Sequence, residues 1–480
     1  MKFKWFALSL AIFTLLLIFP LVPSKPQISH MLAMIVLMGI LWLTEALPIG
    51  ITAMLPLVFF PVLNISNANQ VSINYFNSTI FLFLGGFIIS IAIEKTGLHR
   101  KIALNLLKLL GQTKDGIFLA FAISSWFLSM FISNTATALI MLPIAISITN
   151  NLASELPEAI KNRFSKAILF GIAYSCSIGG IATLIGTPPN LIFHKIYSIN
   201  FPNLPEITFS KWLSIALPLS LILLLFEYLL LRVIFFWNLP NKIVNSNVLK
   251  NEISNRLKLS TNQAITLVVF VATCLLWIFR TTIDLGFLVI PGWADLLGLS
   301  KFVDDSTVSI FSALLLFILP NDFQSKARIL QIDDLKKVPW DIILLFGGGF
   351  AIANGFEITG LSDYLAQTLV GYTHLSGFLI ILLVCIIIVA TTEFSSNTAV
   401  ASTFLPIVAS ISQVLGIPPI KIMLPATISS SLAFMLPIST PPNAIVFSTG
   451  KLKISEMAVV GITLNIIGIL VVAIYFHFLF

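Results

Sequence analysis

Charged side chains are scarce in this sequence. Asp, Glu, Lys and Arg make up only 10% of its 480 residues, whereas 58% of the residues are apolar and the mean hydropathy is +1.01. In a typical soluble domain about a quarter of the residues are charged. The composition therefore excludes a soluble globular protein and predicts a chain that crosses a membrane many times.

The sequence also lacks the patterns of a disulfide framework, a metal centre or a phosphate-binding loop. Three cysteines, Cys176, Cys274 and Cys385, lie in apolar stretches without paired spacing, which predicts buried packing residues. The five histidines have no metal-ligand spacing. No Gly-Lys-Ser/Thr follows the glycine runs at 85–86 and 347–349, so we interpret these runs as sites of close helix packing.

Long apolar runs, by contrast, recur along the whole chain. A run of about twenty apolar residues is long enough to cross a bilayer core of roughly 30 Å. About eleven such runs are present, near 5–22, 29–45, 48–63, 79–96, 165–185, 211–235, 263–283, 305–320, 340–358, 423–438 and 456–479. Polar residues interrupt two further apolar stretches, about 116–149 and about 376–413, and we expect each to form a re-entrant hairpin of two half-length helices. The predicted fold class is an all-α polytopic membrane protein with about eleven transmembrane helices plus two re-entrant helical hairpins.

The distribution of basic residues predicts the orientation of the chain. The net charge is +7, and we attribute the excess to the positive-inside rule rather than to nucleic-acid binding. A cytoplasmic N-terminus places most of the basic residues in the cytoplasm, whereas Asp295, Asp304, Asp305 and the C-terminus fall outside. The first segment begins like a signal peptide but has no small-residue cleavage site, so we interpret it as a retained helix. The expected location is the cytoplasmic (inner) membrane of a bacterium.

An internal repeat divides the chain. The triplet Ser-Asn-Thr at 133–135 recurs 263 residues later at 396–398, and Pro-Pro-Asn at 188–190 recurs 253 residues later at 441–443. With an odd number of spans between the copies, the two repeats face opposite ways, as in many secondary transporters. The predicted division is an extra N-terminal transmembrane helix (1–28), a first inverted repeat (29–235), a cytoplasmic linker (236–262) and a second inverted repeat (263–480).

The paired polar motifs have the chemistry of cation sites. Hydroxyl and amide oxygens can replace water around a small hard cation, and a helix break adds free carbonyls. One helical turn before each triplet stands another hydroxyl, Ser129 before Ser133 and Thr392 before Ser396. We expect two cation sites, one held by Ser129, Ser133, Asn134 and carbonyls near Gly186, the other by Thr392, Asn397 and carbonyls near Ser395 and Ser439.

We expect the site formed by these motifs to contain no Arg, Lys or His. A dianion that leaves water there faces a large desolvation cost, so co-bound cations would both favour its binding and couple the two species. A single polar triplet is explained by hydrogen bonding between helices, but two in register, each paired with Pro-Pro-Asn, favour a binding site. Glu393, beside Thr392, is the ionisable residue that we would test for proton or cation linkage.

Two other classes of function fit the motifs less well. An intramembrane enzyme with Ser133 or Ser396 as nucleophile needs a general base, and neither triplet has a His or Lys nearby in sequence. A channel is disfavoured because no continuous polar stripe lines several helices. We therefore expect a transporter and not an enzyme.

These motifs resemble those of a known family. Trp-Leu-Thr-Glu-Ala-Leu-Pro at 42–48, Phe-Leu-Gly-Gly-Phe at 83–87 and the two pairs of repeated motifs are similar to those of the divalent-anion:sodium symporter family. This family includes sodium-dicarboxylate and sodium-sulfate cotransporters, and the resemblance runs from about residue 30 to the C-terminus. It implies an inverted-repeat, elevator-type transporter in which a transport domain moves against a scaffold domain, assembled as a homodimer.

The resemblance also implies roles for individual residues. The first sodium site would comprise Ser129, Ser133, Asn134 and Gly186, and the second would comprise Thr392, Ser395, Asn397 and Ser439. Substrate carboxylates would contact Asn134, Thr135, Thr187, Ser396, Asn397, Thr398, Thr440 and Pro441. Sodium is the expected co-transported ion, and no organic cofactor is expected.

The predicted function is sodium-coupled symport of a dicarboxylate such as succinate, malate or fumarate. Sodium-coupled transport of sulfate or citrate, or sodium-independent dicarboxylate exchange, are the alternatives, because two carboxylate-binding tips do not fix the distance between them. The expected partners are a small dianion, sodium ions, membrane lipid and a second copy of the chain.

Overall fold

The computed structural model describes residues 2–111, 113–150, 157–241, 259–284, 286, 288–322, 327–362, 364 and 376–479. Most of the expected cytoplasmic linker, residues 242–258, lies outside this set.

Helices account for nearly all the regular structure. They are α1 (Phe3–Ile18), α2 (Pro26–Thr44), α3 (Ile49–Ala53), α4 (Leu55–Val62), α5 (Ala68–Ile73), α6 (Ser78–Thr96), α7 (Leu98–Leu110), α8 (Lys114–Ser129), α9 (Asn134–Asn150), α10 (Glu158–Ala182), α11 (Pro188–Asn200), α12 (Phe209–Phe235), α13 (Thr261–Ile278), α14 (Trp293–Leu296), α15 (Asp305–Ile318), α16 (Trp340–Ile358), α17 (Gly377–Thr392), α18 (Asn397–Leu415), α19 (Pro419–Ser429), α20 (Pro441–Phe447) and α21 (Ile454–Leu479). A 3₁₀ helix covers Ile332–Lys337, and the short antiparallel strands β1 (Ile283–Asp284) and β2 (Val289–Ile290) pair between α13 and α14.

The all-helical membrane class is confirmed. Within the described ranges, eight helical segments are long and apolar enough to cross a membrane: Pro26–Thr44, Ala68–Thr96, Glu158–Ala182, Phe209–Phe235, Thr261–Ile278, Trp340–Ile358, Asn397–Leu415 and Ile454–Leu479. Five shorter apolar segments accompany them: Phe3–Ile18, Ile49–Val62, Asn134–Asn150, Asp305–Ile318 and Gly377–Thr392. The count of about eleven spans with two re-entrant hairpins stays a prediction.

Each of the two interrupted apolar stretches forms a pair of helices. The first pair, α8 and α9, is broken at 130–133, and the second pair, α17 and α18, is broken at 393–396. These helices have 16, 17, 16 and 19 residues. At 1.5 Å per residue they are longer than the half-length helices expected from the sequence.

The apolar run at 423–438 is not one continuous span. Helix α19 ends at Ser429, and the chain has no helix again until α20 begins at Pro441. We call residues 430–440 the second unwound segment, and residues 183–187, which separate α10 from α11, the first unwound segment. Apolarity alone does not distinguish a helix from a buried extended chain, because both hide the same side chains from water.

Helix α10 is enclosed along most of its length. Every residue from Ala167 to Ala182 is buried, and the helix packs against α8, α9 and α12. A helix that is buried on all sides faces protein rather than lipid. The end of α10 is therefore held firmly where it meets the first unwound segment.

A separate core cluster joins α1, α2 and α4 to α16, through Phe13, Trp42, Phe60 and Leu345.

The glycine runs mark close helix packing, as the sequence predicted. A Cβ on Gly348 would lie 2.6 Å from the carbonyl oxygen of Ala53, and a Cβ on Gly347 would overlap the ring of Tyr75. On Gly85 a Cβ would overlap Ser309 in the same way. Helices α6 and α16 therefore approach their neighbours with no room for a side chain at these positions.

Candidate functional site

A cavity lined by both polar and apolar residues lies where the two helix pairs and the two unwound segments meet. Its volume is about 740 Å³, a size that suits a small-molecule site. Helices α9 and α18 begin at its wall, as do α11 and α20, which follow the unwound segments. All eight residues expected to contact substrate line this cavity: Asn134, Thr135, Thr187, Ser396, Asn397, Thr398, Thr440 and Pro441.

Part of the cavity wall is apolar. Phe83 and Phe87 of α6 and Ile342 of α16 line it. Phe394 and Ile438 also line it, and they are 72% and 78% exposed. A wall that mixes apolar side chains with a few polar groups suits a ligand whose carbon chain separates its polar ends.

Four residues predicted to bind the first cation form what we call the first cradle: Ser129, Ser133, Asn134 and Gly186. Three of them line the cavity, whereas Ser129 is fully buried. The Ser129 hydroxyl donates a hydrogen bond to Oδ1 of Asn134. The Ser133 hydroxyl accepts one from the backbone N–H of Ala136 at 3.2 Å, which helps to start α9. Hydroxyl, amide and backbone groups are thus brought to one side of the cavity.

Two glycines allow this close grouping. A Cβ on Gly186 would lie 2.5 Å from the carbonyl oxygen of Gly180, and a Cβ on Gly180 would lie 2.9 Å from Oδ1 of Asn134. Both distances are shorter than a normal non-bonded contact. Only glycine at these positions lets the first unwound segment lie against α10 and Asn134.

The second cradle consists of Thr392, Ser395, Asn397 and Ser439 and repeats the arrangement of the first. Ser395, Asn397 and Ser439 line the cavity, and Thr392 is fully buried. The Thr392 hydroxyl is 2.7 Å from Oδ1 of Asn397 and 2.8 Å from the carbonyl oxygen of Ser430. The buried hydroxyl of Ser395 has no hydrogen-bond partner within the described part of the chain. The contact between Thr392 and Asn397 corresponds to that between Ser129 and Asn134 at the 263-residue offset.

The asparagines of the two Pro-Pro-Asn motifs hold the unwound segments in place. Asn190 is fully buried, and its Nδ2 donates to the carbonyl oxygens of Gly180 at 2.9 Å and Thr183 at 2.7 Å. Asn443 is also fully buried, and its Nδ2 donates to the carbonyl oxygens of Ala433 at 3.2 Å and Leu436 at 3.0 Å. The acceptors match at the 253-residue offset. Side-chain amides therefore satisfy carbonyls that the broken helices leave free.

Sequence reasoning gave these asparagines no separate role. The signal that could have revealed it was present, because a fixed Asn follows each pair of helix-breaking prolines and an amide can donate twice.

The cavity wall also carries charged residues, which corrects the expectation of a site without basic side chains. Lys2, Glu45 and Asp341 line it, although none of them belongs to the repeated motifs. Lys2 Nζ is 2.8 Å from the carbonyl oxygen of Thr44, the last residue of α2. The sequence could not reveal these three because they are far apart along the chain and meet only through the packing of α1, α2 and α16.

Glu393 does not line the cavity. It is 2% exposed, and its carboxylate accepts hydrogen bonds from the backbone of the second unwound segment. The structure therefore places it behind the second cradle rather than in contact with a ligand.

The electrostatics of the cavity wall favour bound ions of both signs. Hydroxyl and amide oxygens suit sodium, which prefers hard oxygen ligands, as other small hard cations do. The starts of α9, α11 and α18 place the positive ends of helix dipoles at the wall, which favour an anion. Helices α9 and α18 also offer N–H groups there, whereas α11 begins with Pro188 and Pro189, which have none. One cavity can therefore hold an anion with cations beside it.

Comparison with known proteins agrees with this geometry. The family model described as "Sodium:sulfate symporter transmembrane region" matches residues 2–479. The chain belongs to the sodium:sulfate symporter family. Its relatives include the sodium-dependent dicarboxylate transporter SdcS of Staphylococcus saprophyticus, which is 38% identical over 449 residues, covering 91% of this chain and 83% of the relative. SdcS of Staphylococcus aureus strain MRSA252 is 36% identical over 460 residues, covering 94% and 85%.

Two solved structures share the fold of this sodium:sulfate symporter family member at low sequence identity. The Alcanivorax borkumensis YdaH transporter matches with a TM-score of 0.57 and 14% identity, covering 89% of each chain. MtrF of Neisseria gonorrhoeae, described as one of a class of antimetabolite efflux pumps, matches with a TM-score of 0.58 and 14% identity, covering 88% of this chain and 83% of its own. At this identity the likeness concerns the fold alone.

Proposed function

We propose that this multi-pass membrane protein couples the uptake of a small dicarboxylate to sodium ions. The observation that carries the proposal is the pair of matching cradles on one cavity, Ser129 with Asn134 and Thr392 with Asn397. Each combines a buried hydroxyl with an amide at the start of a helix. The repeated hydroxyl and amide oxygens suit two sodium ions, and the space between them suits an anion.

Coupling follows from charge. A dianion in the cavity loses water, and helix dipoles offset only part of that cost. Lys2 does not supply a net positive charge, because the carboxylates of Glu45 and Asp341 share the wall with it. A sodium ion in each cradle would supply that charge, so substrate and sodium each bind more tightly when the other is present. The hydroxyls of Thr135, Thr187, Thr398 and Thr440 would donate to the substrate carboxylates from the cavity wall.

A dicarboxylate is the favoured substrate class. The relatives at 36–38% identity are named sodium-dependent dicarboxylate transporters, whereas the family description names sulfate. The apolar wall of Phe83, Phe87 and Ile342 suits the carbon chain of a molecule such as succinate, malate or fumarate, and sulfate has no such chain. Sulfate, citrate and sodium-independent exchange are the competing hypotheses.

The larger arrangement is part of the same proposal. We place the chain in a bacterial cytoplasmic membrane with its N-terminus in the cytoplasm and its C-terminus outside. Residues 29–235 and 263–480 would form two inverted repeats, with the helix pairs as re-entrant hairpins. In a homodimer, a transport domain that carries the cavity would move as an elevator against a scaffold domain.

Uptake into proteoliposomes tests the proposal directly. Purified protein is reconstituted, and labelled succinate is added with an inward sodium gradient or with the same concentration of potassium. We expect uptake only with sodium. Competition by unlabelled succinate, citrate, sulfate and phosphate then identifies the preferred anion.

Two results would contradict the proposal. Equal uptake in sodium and in potassium would exclude sodium coupling and favour an exchanger. Sodium-driven uptake of sulfate but not of succinate would retain the coupling and overturn the substrate class.

A further inference from the structure

The second unwound segment is held by a buried carboxylate. Glu393 lies one residue beyond the end of α17 and is 2% exposed. Its Oε1 accepts from the N–H groups of Phe434 at 2.8 Å and Met435 at 3.0 Å. Its Oε2 accepts from the N–H groups of Met435 at 3.1 Å and Leu436 at 3.3 Å. Three consecutive N–H groups that have no helical acceptor thus share one side chain.

A fourth donor completes the surroundings of Glu393. Nδ2 of Asn465, a residue of α21 that is 3% exposed, donates to Oε1 at 2.5 Å. All these partners are donors, which matches a carboxylate that only accepts. Among the ion pairs of the described residues, none includes Glu393. Hydrogen bonds alone therefore hold this group within an apolar interior.

The contacts continue from Glu393 to the second cradle. Leu436, whose N–H donates to Glu393, accepts a hydrogen bond at its carbonyl oxygen from the Ser439 hydroxyl at 2.6 Å. The same carbonyl oxygen accepts from Nδ2 of Asn443 at 3.0 Å. Ser439 lines the cavity. Leu436 thus links the buried carboxylate to a residue of the second cradle.

The first repeat is built differently at the same place. Met130 occupies the position that corresponds to Glu393 at the 263-residue offset. The first unwound segment is short, 183–187, and the Thr183 hydroxyl donates to the carbonyl oxygen of Met130. The second unwound segment covers 430–440, so more N–H groups need an acceptor outside a helix. Each cradle thus contains an asparagine, but only the second is supported by a buried carboxylate.

We propose that Glu393 is a positioning residue for the second cradle: it fixes the backbone of 434–436 so that Leu436 and Ser439 keep the geometry that sodium requires. The proposal rests on the proposed function for the identity of the ion. In this proposal Glu393 contacts neither sodium nor substrate. The second cradle should depend on Glu393 more than the first does.

Replacing Glu393 by Gln tests the proposal with little change in size. An amide keeps one acceptor oxygen and turns an NH₂ group toward backbone donors, so the segment loses its support. In proteoliposomes we expect the half-saturating sodium concentration to rise about tenfold, with the maximal rate at saturating sodium within about twofold of the original, as the loss of charge-assisted hydrogen bonds implies. A role limited to stability would lower the amount of active protein without moving the half-saturating concentration.

Glu227→Gln is the matched control. Glu227 is also fully buried, and its two carboxylate oxygens accept from the Ser175 hydroxyl of α10 at 3.0 Å and 2.9 Å. Its hydrogen-bond partner in the described part of the chain therefore belongs to a helix and not to an unwound segment. We expect the half-saturating sodium concentration of E227Q to equal that of the original protein. If E393Q also matched it, or if E227Q shifted it equally, the proposal would be overturned.

A second pair of measurements keeps the test independent of transport. Sodium should raise the melting temperature of the purified protein above its value in potassium, and E393Q should need about tenfold more sodium for the same rise. Wild-type protein that is stabilised by sodium but takes up no dicarboxylate would contradict the proposed function and leave this inference standing.

The double variant E393Q with Ser439→Ala tests the link through Leu436. Its half-saturating sodium concentration should be close to that of the worse single variant, because both changes act through Leu436. Fully additive effects would contradict the linkage, and if E393Q were not recovered folded, Asn465→Ala, expected to raise the sodium requirement by about threefold, would take its place.

Discussion

Ser129 and Thr392 are fully buried and never reach the cavity, yet each donates to the amide oxygen of the asparagine that does. Their hydroxyls therefore orient Asn134 and Asn397 before any ion arrives. An oriented ligand loses less conformational entropy when the ion binds than a mobile one does. In the proposed sodium sites, these two residues would contribute by holding the asparagines in a fixed geometry.

Thr392→Val is the sharpest substitution at this scale, because it keeps the shape of the side chain and removes only the hydroxyl. It frees Oδ1 of Asn397 and leaves the carbonyl oxygen of Ser430 without its 2.8 Å donor. We expect the half-saturating sodium concentration for uptake to rise about tenfold, since an unsatisfied buried polar group costs about 1–3 kcal/mol.

Thr392→Ser keeps the hydroxyl and is the control, expected to stay within about twofold of the original protein. Equal losses in the Val and Ser variants would show that packing of the methyl group matters as much as the hydroxyl and would contradict a role specific to the hydroxyl.

Among the secondary-structure elements, the glycine-rich middle of α16 decides how closely the helices that line the cavity approach one another. Gly347 lies against the ring of Tyr75, whose hydroxyl donates to the carbonyl oxygen of Ala53 at 2.5 Å. Phe346 of the same helix stacks on Phe83 of α6, with ring centroids 4.1 Å apart. The cavity wall therefore depends on a helix contact with no spare volume.

Gly347→Ala should destabilise the protein by about 1–3 kcal/mol, because the new methyl group must displace Tyr75 in a packed interior. Thermal unfolding of the purified protein measures the effect. Gly377→Ala is the matched control, since a Cβ there meets nothing within 4 Å, and it should leave the melting temperature unchanged. Because alanine has the higher helix propensity, propensity alone would stabilise both variants. An equal loss in both would mean that the close contact with Tyr75 does not set the cost.

For the whole molecule, the proposed elevator motion requires contacts between the moving and fixed parts to break during transport. Phe131, at the break of the first helix pair, packs edge-on against Phe270 of α13, with ring centroids 4.8 Å apart. If the first helix pair moves with the cavity while α13 stays in the scaffold, this contact exists in only one state.

A disulfide at that contact tests the motion. The variant Phe131→Cys with Phe270→Cys, in a background without the three native cysteines, should lose nearly all uptake on oxidation and regain it on reduction. Each single-cysteine variant should be unaffected by the oxidant. A high yield of disulfide with normal uptake would show that the first helix pair and α13 move together. That result would rule out a scaffold that includes α13 but not the first helix pair.

Much of the site could be predicted from the sequence because its polar residues lie close to helix breaks in an otherwise apolar chain. The repeated Ser-Asn-Thr and Pro-Pro-Asn motifs carry the resemblance that implied all eight expected substrate residues, and these line one cavity. The number of helices was harder to predict, since the run at 423–438 is apolar but its helix ends at Ser429. Hydropathy reports burial and cannot report whether a backbone N–H bonds to its own helix or to a distant carboxylate.

The sequence by itself determined that this is a membrane protein, that it contains a repeat, and which polar motifs gather at the repeat's helix breaks, because composition, spacing and proline act locally. Only the tertiary structure decided what supports those motifs. Glu393 meets residues 434–436 and Asn465, Asn443 reaches back to Ala433, and Lys2 joins the cavity wall through folding of the whole chain. A hydrogen bond depends on distance and direction in space, and neither is encoded in the spacing of residues that are far apart along the chain.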